Sequence, residues 1–167
     1  MNLHSKLKHL AAQGKPLRVG MIGAGKFGSM YLSQVPRTPG IHMVGIADLS
    51  PTRARNSLRN VGWHEEAYGA ESLEQAAKQG NTAIIDDGMK LIESPFVDII
   101  IDATGNPAVG IAHVLACCQY QKHIVMVNVE ADALAGPLLK QRADEAGIVY
   151  SLAYGDQPAL IFEMVDW

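Results

Sequence analysis

The feature that most constrains the fold of this chain is a group of three glycines between an apolar run and a helical segment. Gly23, Gly25 and Gly28 follow the apolar residues 17–22 and form the pattern G-x-G-x-x-G. After the last glycine, the apolar residues take a spacing that places them on one face of a helix, which Pro36 ends. The chain is therefore predicted to turn sharply from a buried strand directly into a helix.

Each glycine of this turn has a physical task. Gly23 permits the tight turn, Gly25 lets the backbone approach a diphosphate, and Gly28 lets the helix pack closely on the sheet. Free N–H groups and the dipole at the start of the helix favour a bound anion. A glycine bend of purely structural use is the alternative, and the flanking strand and helix argue against it. The residues predicted to bind a dinucleotide here are Gly23, Ala24, Gly25, Lys26, Phe27 and Gly28.

An acidic residue follows the next predicted strand, residues 41–47. Asp48 lies about 20 residues past the last glycine, as a dinucleotide-binding turn requires. Its carboxylate can accept hydrogen bonds from the adenosine ribose and would repel a 2'-phosphate, which favours NAD over NADP. Leu49 and Arg53 are predicted to complete the adenosine end. Two roles are open for Arg53 and Arg55. They could bind a phosphate of the cofactor, or they could be solvated residues on a helix surface.

Strands and helices alternate along the rest of the sequence. The predicted strands are residues 17–22, 41–47, 82–85, 97–103, 123–129 and 148–154. Four of them are near-continuous apolar runs, which is typical of strands buried on both faces of a parallel sheet. The prediction is an α/β fold of the Rossmann type, with a doubly wound parallel sheet in three layers and an amphipathic leading helix.

Polar residues follow the fourth and fifth predicted strands. Ligands of doubly wound sheets bind beyond the carboxyl ends of the strands where the strand order reverses, so we expect these loops to line the nicotinamide half of the site. Asn106 is also predicted to cap a helix that opens with a proline. The predicted cofactor contacts are Ala103, Thr104, Gly105, Asn106, Pro107, Asn128 and Glu130.

Several acidic residues lie near the same strand ends. Glu130 and Asp156 are candidate catalytic residues, and for Glu130 a role at the start of a helix is equally open. Asp132 is expected to cap a helix, and Asp102 to make a structural hydrogen bond. Asp86 and the acid that follows it are also expected to cap a helix.

Other chemistries are weakly represented. His113 and Cys117 lie four residues apart on a predicted helix, but no further motif completes a metal site, so we predict no resident metal in this chain. The adjacent Cys117 and Cys118 are expected to remain reduced in a cytoplasmic protein. A net charge of -3 disfavours binding to nucleic acid, and no apolar run approaches the roughly 20 residues that cross a bilayer.

The sequence resembles the nucleotide-binding domain of the homoserine-dehydrogenase-like oxidoreductases. It is most similar to the branch described as 1-deoxy-D-xylulose 5-phosphate reductoisomerase-like, whose members carry a carboxyl-terminal SAF domain. The stretches that carry this resemblance are GMIGAGKFG, DIIIDATGNPAVG, KHIVMVNVEADALAGPLLK and YSLAYGDQP. Val129 follows Asn128 where homoserine dehydrogenases have a catalytic lysine, which argues against a homoserine substrate.

The resemblance implies an NAD(P)-dependent oxidoreductase that transfers a hydride to a small polar carbonyl substrate. In the reductoisomerase-like branch, the implied product is 2-C-methyl-D-erythritol 4-phosphate, and a divalent metal is implied for the full-length enzyme. The alternative is a free-standing module that senses NAD(H) or regulates a partner without catalysis.

In the families that this chain resembles, a substrate domain follows the nucleotide-binding domain. We therefore expect a leading helix in residues 1–15, the Rossmann domain in residues 16–156, and the start of a substrate domain in residues 157–167. The last segment has an apolar helical face, which we expect to pack on the missing domain or on a second copy in a homo-oligomer. The residues of that face are Leu160, Ile161, Met164 and Trp167.

Overall fold

The centre of the molecule is a sheet of six parallel strands. In the computed structural model, which describes residues 3–153, the strands are β1 (Leu17–Ile22), β2 (Ile41–Ala47), β3 (Ala83–Ile85), β4 (Ile99–Asp102), β5 (His123–Met126) and β6 (Tyr150–Leu152). Their order in the sheet is β3-β2-β1-β4-β5-β6, and every neighbouring pair is parallel. The order reverses between β1 and β4, so the predicted doubly wound sheet is confirmed.

Helices cover both faces of this sheet. They are α2 (Lys26–Gln34), α3 (Pro51–Asn60), α4 (Leu73–Gln79), α5 (Gly88–Glu93), α6 (Pro107–Tyr120) and α7 (Val129–Glu145), and a further helix, α1 (Leu3–Ala12), precedes β1. One buried cluster joins the sheet to α2 and α3 through Leu32 and Leu58. A second joins it to α4–α7 and includes the buried Leu91, Val114 and Leu139. This arrangement is the predicted three-layer α/β/α architecture.

Two of the residues predicted to cap helices do so, each by accepting the backbone N–H of the residue three positions later. Ser50 accepts the N–H of Arg53 at the start of α3, and Asn106 accepts the N–H of Val109 at the start of α6. A proline opens each of these helices, as its fixed φ favours.

The boundary between β5 and α7 differs from the prediction. The strand ends at Met126, and α7 begins at Val129 because Asn128 caps it by accepting the N–H of Ala131 at 3.1 Å. Asp132 lies inside the first turn and is not the cap, so its predicted capping role is wrong. Its carboxylate instead accepts a hydrogen bond from the Tyr150 hydroxyl at 2.6 Å.

The ends of the described chain carry fewer contacts. The amphipathic helix α1 is present, but none of its residues is buried. The predicted strand residue 154, the candidate Asp156 and the predicted domain start in residues 157–167 lie outside the described residues. No helix within residues 3–153 is long and apolar enough to cross a membrane.

Candidate cofactor-binding crevice

A crevice of about 650 Å³ opens at the carboxyl ends of β1, β2 and β4, where the strand order reverses. Nine residues that were predicted to bind cofactor line it. They are Gly23, Gly25, Asp48, Leu49, Arg53, Ala103, Thr104, Gly105 and Asn106. The sheet topology therefore brings the glycine turn, the acid after β2 and the loop after β4 into one site.

The glycine turn has the geometry that its sequence predicted. Gly23 has φ +96°, and a Cβ there would lie 2.7 Å from the carbonyl oxygen of Ala103. A Cβ on Gly28 would lie 2.6 Å from the Gly23 carbonyl oxygen, so the close approach of α2 requires a glycine. A Cβ on Gly25, by contrast, would meet no atom within 4 Å.

The start of α2 is open to a ligand. Gly25 is its N-cap residue, and no side chain in the described part of the chain caps this end. The first N–H groups of a helix have no intrahelical partner and carry the positive end of the helix dipole. The open space beside Gly25 therefore adjoins an end of α2 that can bind an anion.

Asp48 is buried, with 5% of its surface exposed, and is held by three donors. Its Oδ2 accepts the N–H of Ala24 at 2.9 Å, and its Oδ1 accepts the N–H of Ser50 at 2.8 Å. The Arg53 guanidinium donates to Oδ1 at 2.7 Å. Because a carboxylate oxygen has two lone pairs, Oδ2 keeps one acceptor position. The ribose contact of Asp48 stays a prediction, but the structure adds a second role, since Asp48 ties β2 to the glycine turn.

The loop after β4 is fixed by a buried polar network. Asp102 is fully buried, and its Oδ1 accepts both the N–H of Thr104 at 2.9 Å and the Thr104 hydroxyl at 2.6 Å. The structural hydrogen bond predicted for Asp102 is thereby confirmed. Asn128 donates to the Thr104 hydroxyl oxygen at 3.1 Å and to the carbonyl oxygen of Asn106 at 2.8 Å. Asn128, only 1% exposed, lies behind this loop and supports it rather than lining the crevice.

His113 belongs to the same network. Its Nδ1 lies 2.8 Å from Oδ2 of Asp102, and its ring lines the crevice. Cys117, one turn further along α6, is fully buried in the second apolar cluster, and burial raises the pKa of its thiol to about 12. Within residues 3–153, no group of three or more His, Cys, Asp or Glu side chains is arranged to hold a metal ion.

Some predicted site residues do not line the crevice. Ala24 is buried, and Lys26 and Glu130 are exposed. Glu130 lies in the first turn of α7, where the helix dipole stabilises a negative charge. The predicted residues outside the crevice lining are Ala24, Lys26, Phe27, Gly28, Pro107, Asn128 and Glu130.

Sequence reasoning missed part of the crevice wall. The missed lining residues are Ile22, Ala47, Asp86, Asp87, Gly88, Met89, Val109 and His113. Asp87 caps α5 by accepting the N–H of Met89 at 2.9 Å, which confirms the predicted cap. One signal in the sequence could have revealed this wall. Residues 86–89 directly follow β3, and the carboxyl ends of parallel strands meet at one edge of the sheet.

The doubly wound sheet, the glycine turn and the crevice at the reversal of strand order together define a dinucleotide-binding α/β domain. Residues 17–127 match a protein-family model, GFO_IDH_MocA, described as "Oxidoreductase family, NAD-binding Rossmann fold". The chain belongs to this family of NAD-binding oxidoreductases. No curated protein matches the sequence significantly.

Solved structures share the fold at low sequence identity. A homoserine dehydrogenase from Thiobacillus denitrificans superposes with a TM-score of 0.65 at 18% identity, over 83% of this chain and 29% of that chain. A biliverdin reductase from Synechocystis, solved with biliverdin and NADP+, gives 0.59 at 21% identity, over 83% of this chain and 38% of that one.

A third similar structure is the WlbA dehydrogenase from Chromobacterium violaceum, solved with NADH and UDP-GlcNAcA. Its TM-score is 0.58 at 12% identity, over 83% of this chain and 35% of that chain. The chain described here therefore spans well under half the length of these three proteins. At these identities, the likeness establishes the fold.

Proposed function

We propose that this chain forms the nucleotide-binding part of an NAD(P)-dependent oxidoreductase acting on a small polar carbonyl substrate. The observation that carries the proposal is the open space beside Gly25, at the start of α2, where no described side chain caps the helix. That space adjoins Asp48 in a crevice large enough for part of a dinucleotide. Family membership supports the NAD-binding oxidoreductase part of this proposal.

The residues of the crevice suit different parts of a dinucleotide. The N–H groups at the start of α2 would hold the diphosphate, and Asp48 the adenosine ribose. Leu49 is 94% exposed at the mouth of the crevice, where an apolar side chain would cover the adenine base. Thr104 and Asn106, held by the network behind them, would contact the bound cofactor from the loop after β4. Bound NAD(P)H would supply a hydride, and the chain's own residues would bind and orient that cofactor.

NAD is the proposed preferred cofactor. The buried Asp48 carboxylate lies where a 2'-phosphate would bring a second negative charge close to it. Arg53 partly offsets that repulsion, because its guanidinium is bound to Asp48 and its side chain is 61% exposed. The preference is therefore expected to be modest.

The substrate class is proposed from the resemblance to homoserine-dehydrogenase-like and reductoisomerase-like proteins. Val129, in the first turn of α7, offers no amine at the position of the homoserine dehydrogenase lysine. This favours the reductoisomerase-like branch over a homoserine substrate. The exposed Glu130 is the proposed catalytic residue within the described part of the chain. Asp156, which lies outside the described residues, is the second proposed catalytic residue. A divalent metal is a further proposed cofactor of the full-length enzyme.

Calorimetric titration of the 167-residue chain with NADH and with NADPH tests the cofactor assignment. We expect both to bind, NADH more tightly, and each to raise the melting temperature as ligands that bind only the folded state do. The proposal would be overturned if neither NADH nor NADPH gave binding heat and neither raised the melting temperature. Lys140→Gln, which changes only an exposed ion pair on α7, serves as the matched control variant.

A further inference from the structure

The imidazole of His113 is held in one orientation within the crevice wall. Its Nδ1 lies 2.8 Å from Oδ2 of Asp102, and both side chains are buried, at 8% and 0% exposure. Oδ1 of the same carboxylate already accepts two hydrogen bonds from Thr104. With the Asp102 carboxylate oxygen as the acceptor, Nδ1 carries the hydrogen, and the tautomer of the neutral ring that fits this contact has its lone pair on Nε2.

The Nε2 atom of His113 faces the crevice. It lies 3.4 Å from the position that a Cβ on Gly88 would take, and both residues line the crevice. Within residues 3–153, no hydrogen bond is made to Nε2. The atom nevertheless keeps some solvent-accessible surface, since it is not one of the fully buried polar atoms without a partner. In the neutral ring, Nε2 is therefore an acceptor at the crevice wall that has no donor among the described residues.

This part of the crevice corresponds to the base of a bound dinucleotide, and the inference rests on the proposed function. With the diphosphate at Gly25 and the ribose at Asp48, the base extends towards the wall formed by residues 86–89 and α6. Met89 and Val109 provide apolar surface in that wall, which suits a flat heteroaromatic ring.

We propose that His113 selects adenine, with Nε2 accepting a hydrogen bond from the 6-amino group of the base. A 6-oxo purine would place an oxygen lone pair against the Nε2 lone pair and lose this hydrogen bond. A site built around a polar group discriminates strongly against an analogue that leaves that group unpaired. His113 is then a specificity-determining residue for the cofactor, with Asp102 positioning its ring.

Asp86 is the competing acceptor. Its exposed carboxylate lines the same part of the crevice and could also accept from the amino group. The two candidates are separable because His113 is fixed by Asp102, whereas Asp86 is solvated. Asn at position 113 can still donate to Asp102 from the place of Nδ1, but it has no atom at the place of Nε2.

The experiment compares the dissociation constants of NADH and of reduced nicotinamide hypoxanthine dinucleotide, which carries a 6-oxo group in place of the amine. We expect the native chain to bind NADH about 10-fold more tightly. His113→Asn should reduce this ratio to about one, and His113→Gln, whose amide oxygen can approach the place of Nε2, should restore part of it. Asp86→Asn should leave the ratio unchanged.

Three outcomes would overturn the inference. Equal binding of the two dinucleotides by the native chain would do so while leaving the proposed function intact. A ratio that survives His113→Asn but is lost in Asp86→Asn would assign the base contact to Asp86. Failure of the native chain to bind either dinucleotide would overturn both the inference and the proposed function. Should His113→Asn not fold, the ratios for the native chain, His113→Gln and Asp86→Asn still decide the matter.

Discussion

The carboxylate of Asp48 accepts a hydrogen bond from the backbone N–H of Ala24 at 2.9 Å, which joins the end of β2 to the glycine turn after β1. Asp48 also accepts from Ser50 and Arg53, so one buried side chain organises the turn, the start of α3 and a cation at the crevice mouth. The acid that sequence patterns associate with the ribose is therefore also a structural support for the proposed diphosphate site.

Asp48→Asn is expected to lower the free energy of unfolding by about 2 kcal/mol, because the amide nitrogen would replace one acceptor oxygen that faces a buried donor. Urea denaturation measures the change. Asp86→Asn, an exposed carboxylate of the same crevice, is the matched control and should alter stability by less than about 0.5 kcal/mol. Equal effects of the two substitutions would contradict the structural role of Asp48.

Alanine substitutions in the glycine turn should separate binding from folding. Gly25→Ala should leave stability within about 1 kcal/mol, because its Cβ meets open space, but should weaken NADH binding at least about 10-fold by obstructing the diphosphate. Gly28→Ala should destabilise the fold by about 2 kcal/mol, since its Cβ would approach the Gly23 carbonyl oxygen. Thermal melts and NADH titrations provide the two readouts. Undiminished NADH affinity in Gly25→Ala would exclude this turn as the diphosphate site.

Arg53 should influence the choice between NADH and NADPH. Arg53→Ala leaves the Asp48 carboxylate without its cationic partner, so we expect NADPH affinity to fall about 10-fold and NADH affinity to change much less. Arg55→Ala, two residues along the same helix and outside the crevice lining, is the control. Titration of both variants with both cofactors gives the ratios, and an equal loss for NADH and NADPH would argue against this role.

The Arg18–Asp98 pair predicts a pH dependence of stability. The side-chain hydrogen bond from Arg18, 2.8 Å from Nε to Oδ2, lowers the pKa of Asp98 below its ordinary value of 3.8. A carboxyl group with a lowered pKa in the folded state stabilises the fold above its unfolded pKa, and this contribution is lost as pH falls through the folded pKa.

Arg18→Gln should therefore reduce the free energy of unfolding by up to about 1 kcal/mol near neutral pH, a modest effect because the two side chains are 39% and 43% exposed. The difference between native and variant proteins should shrink as the pH falls below 3.8 and through the lowered pKa of folded Asp98. Denaturation curves across this pH range measure it, with Lys140→Gln as a surface ion-pair control. A difference that grows as the pH falls would have the wrong sign for this pair.

The features that the sequence predicted well are those set by neighbours in the chain. The glycine turn, the caps at Ser50 and Asn106, and the order of strands and helices all follow from local backbone geometry and apolar periodicity. The end of β5 was less predictable, because the apolar run continues through Val127, while Asn128 forms a local cap that begins α7.

The sequence by itself thus determined the fold class and the geometry of the glycine turn, because both depend on short-range patterns of residues. Only the tertiary structure decided that His113 faces the crevice while Asn128 supports it from behind. Those positions depend on how α6 packs beside α5 and α7 and on which strands become neighbours at the reversal of order. Such contacts join residues far apart in the chain, so no local spacing encodes them.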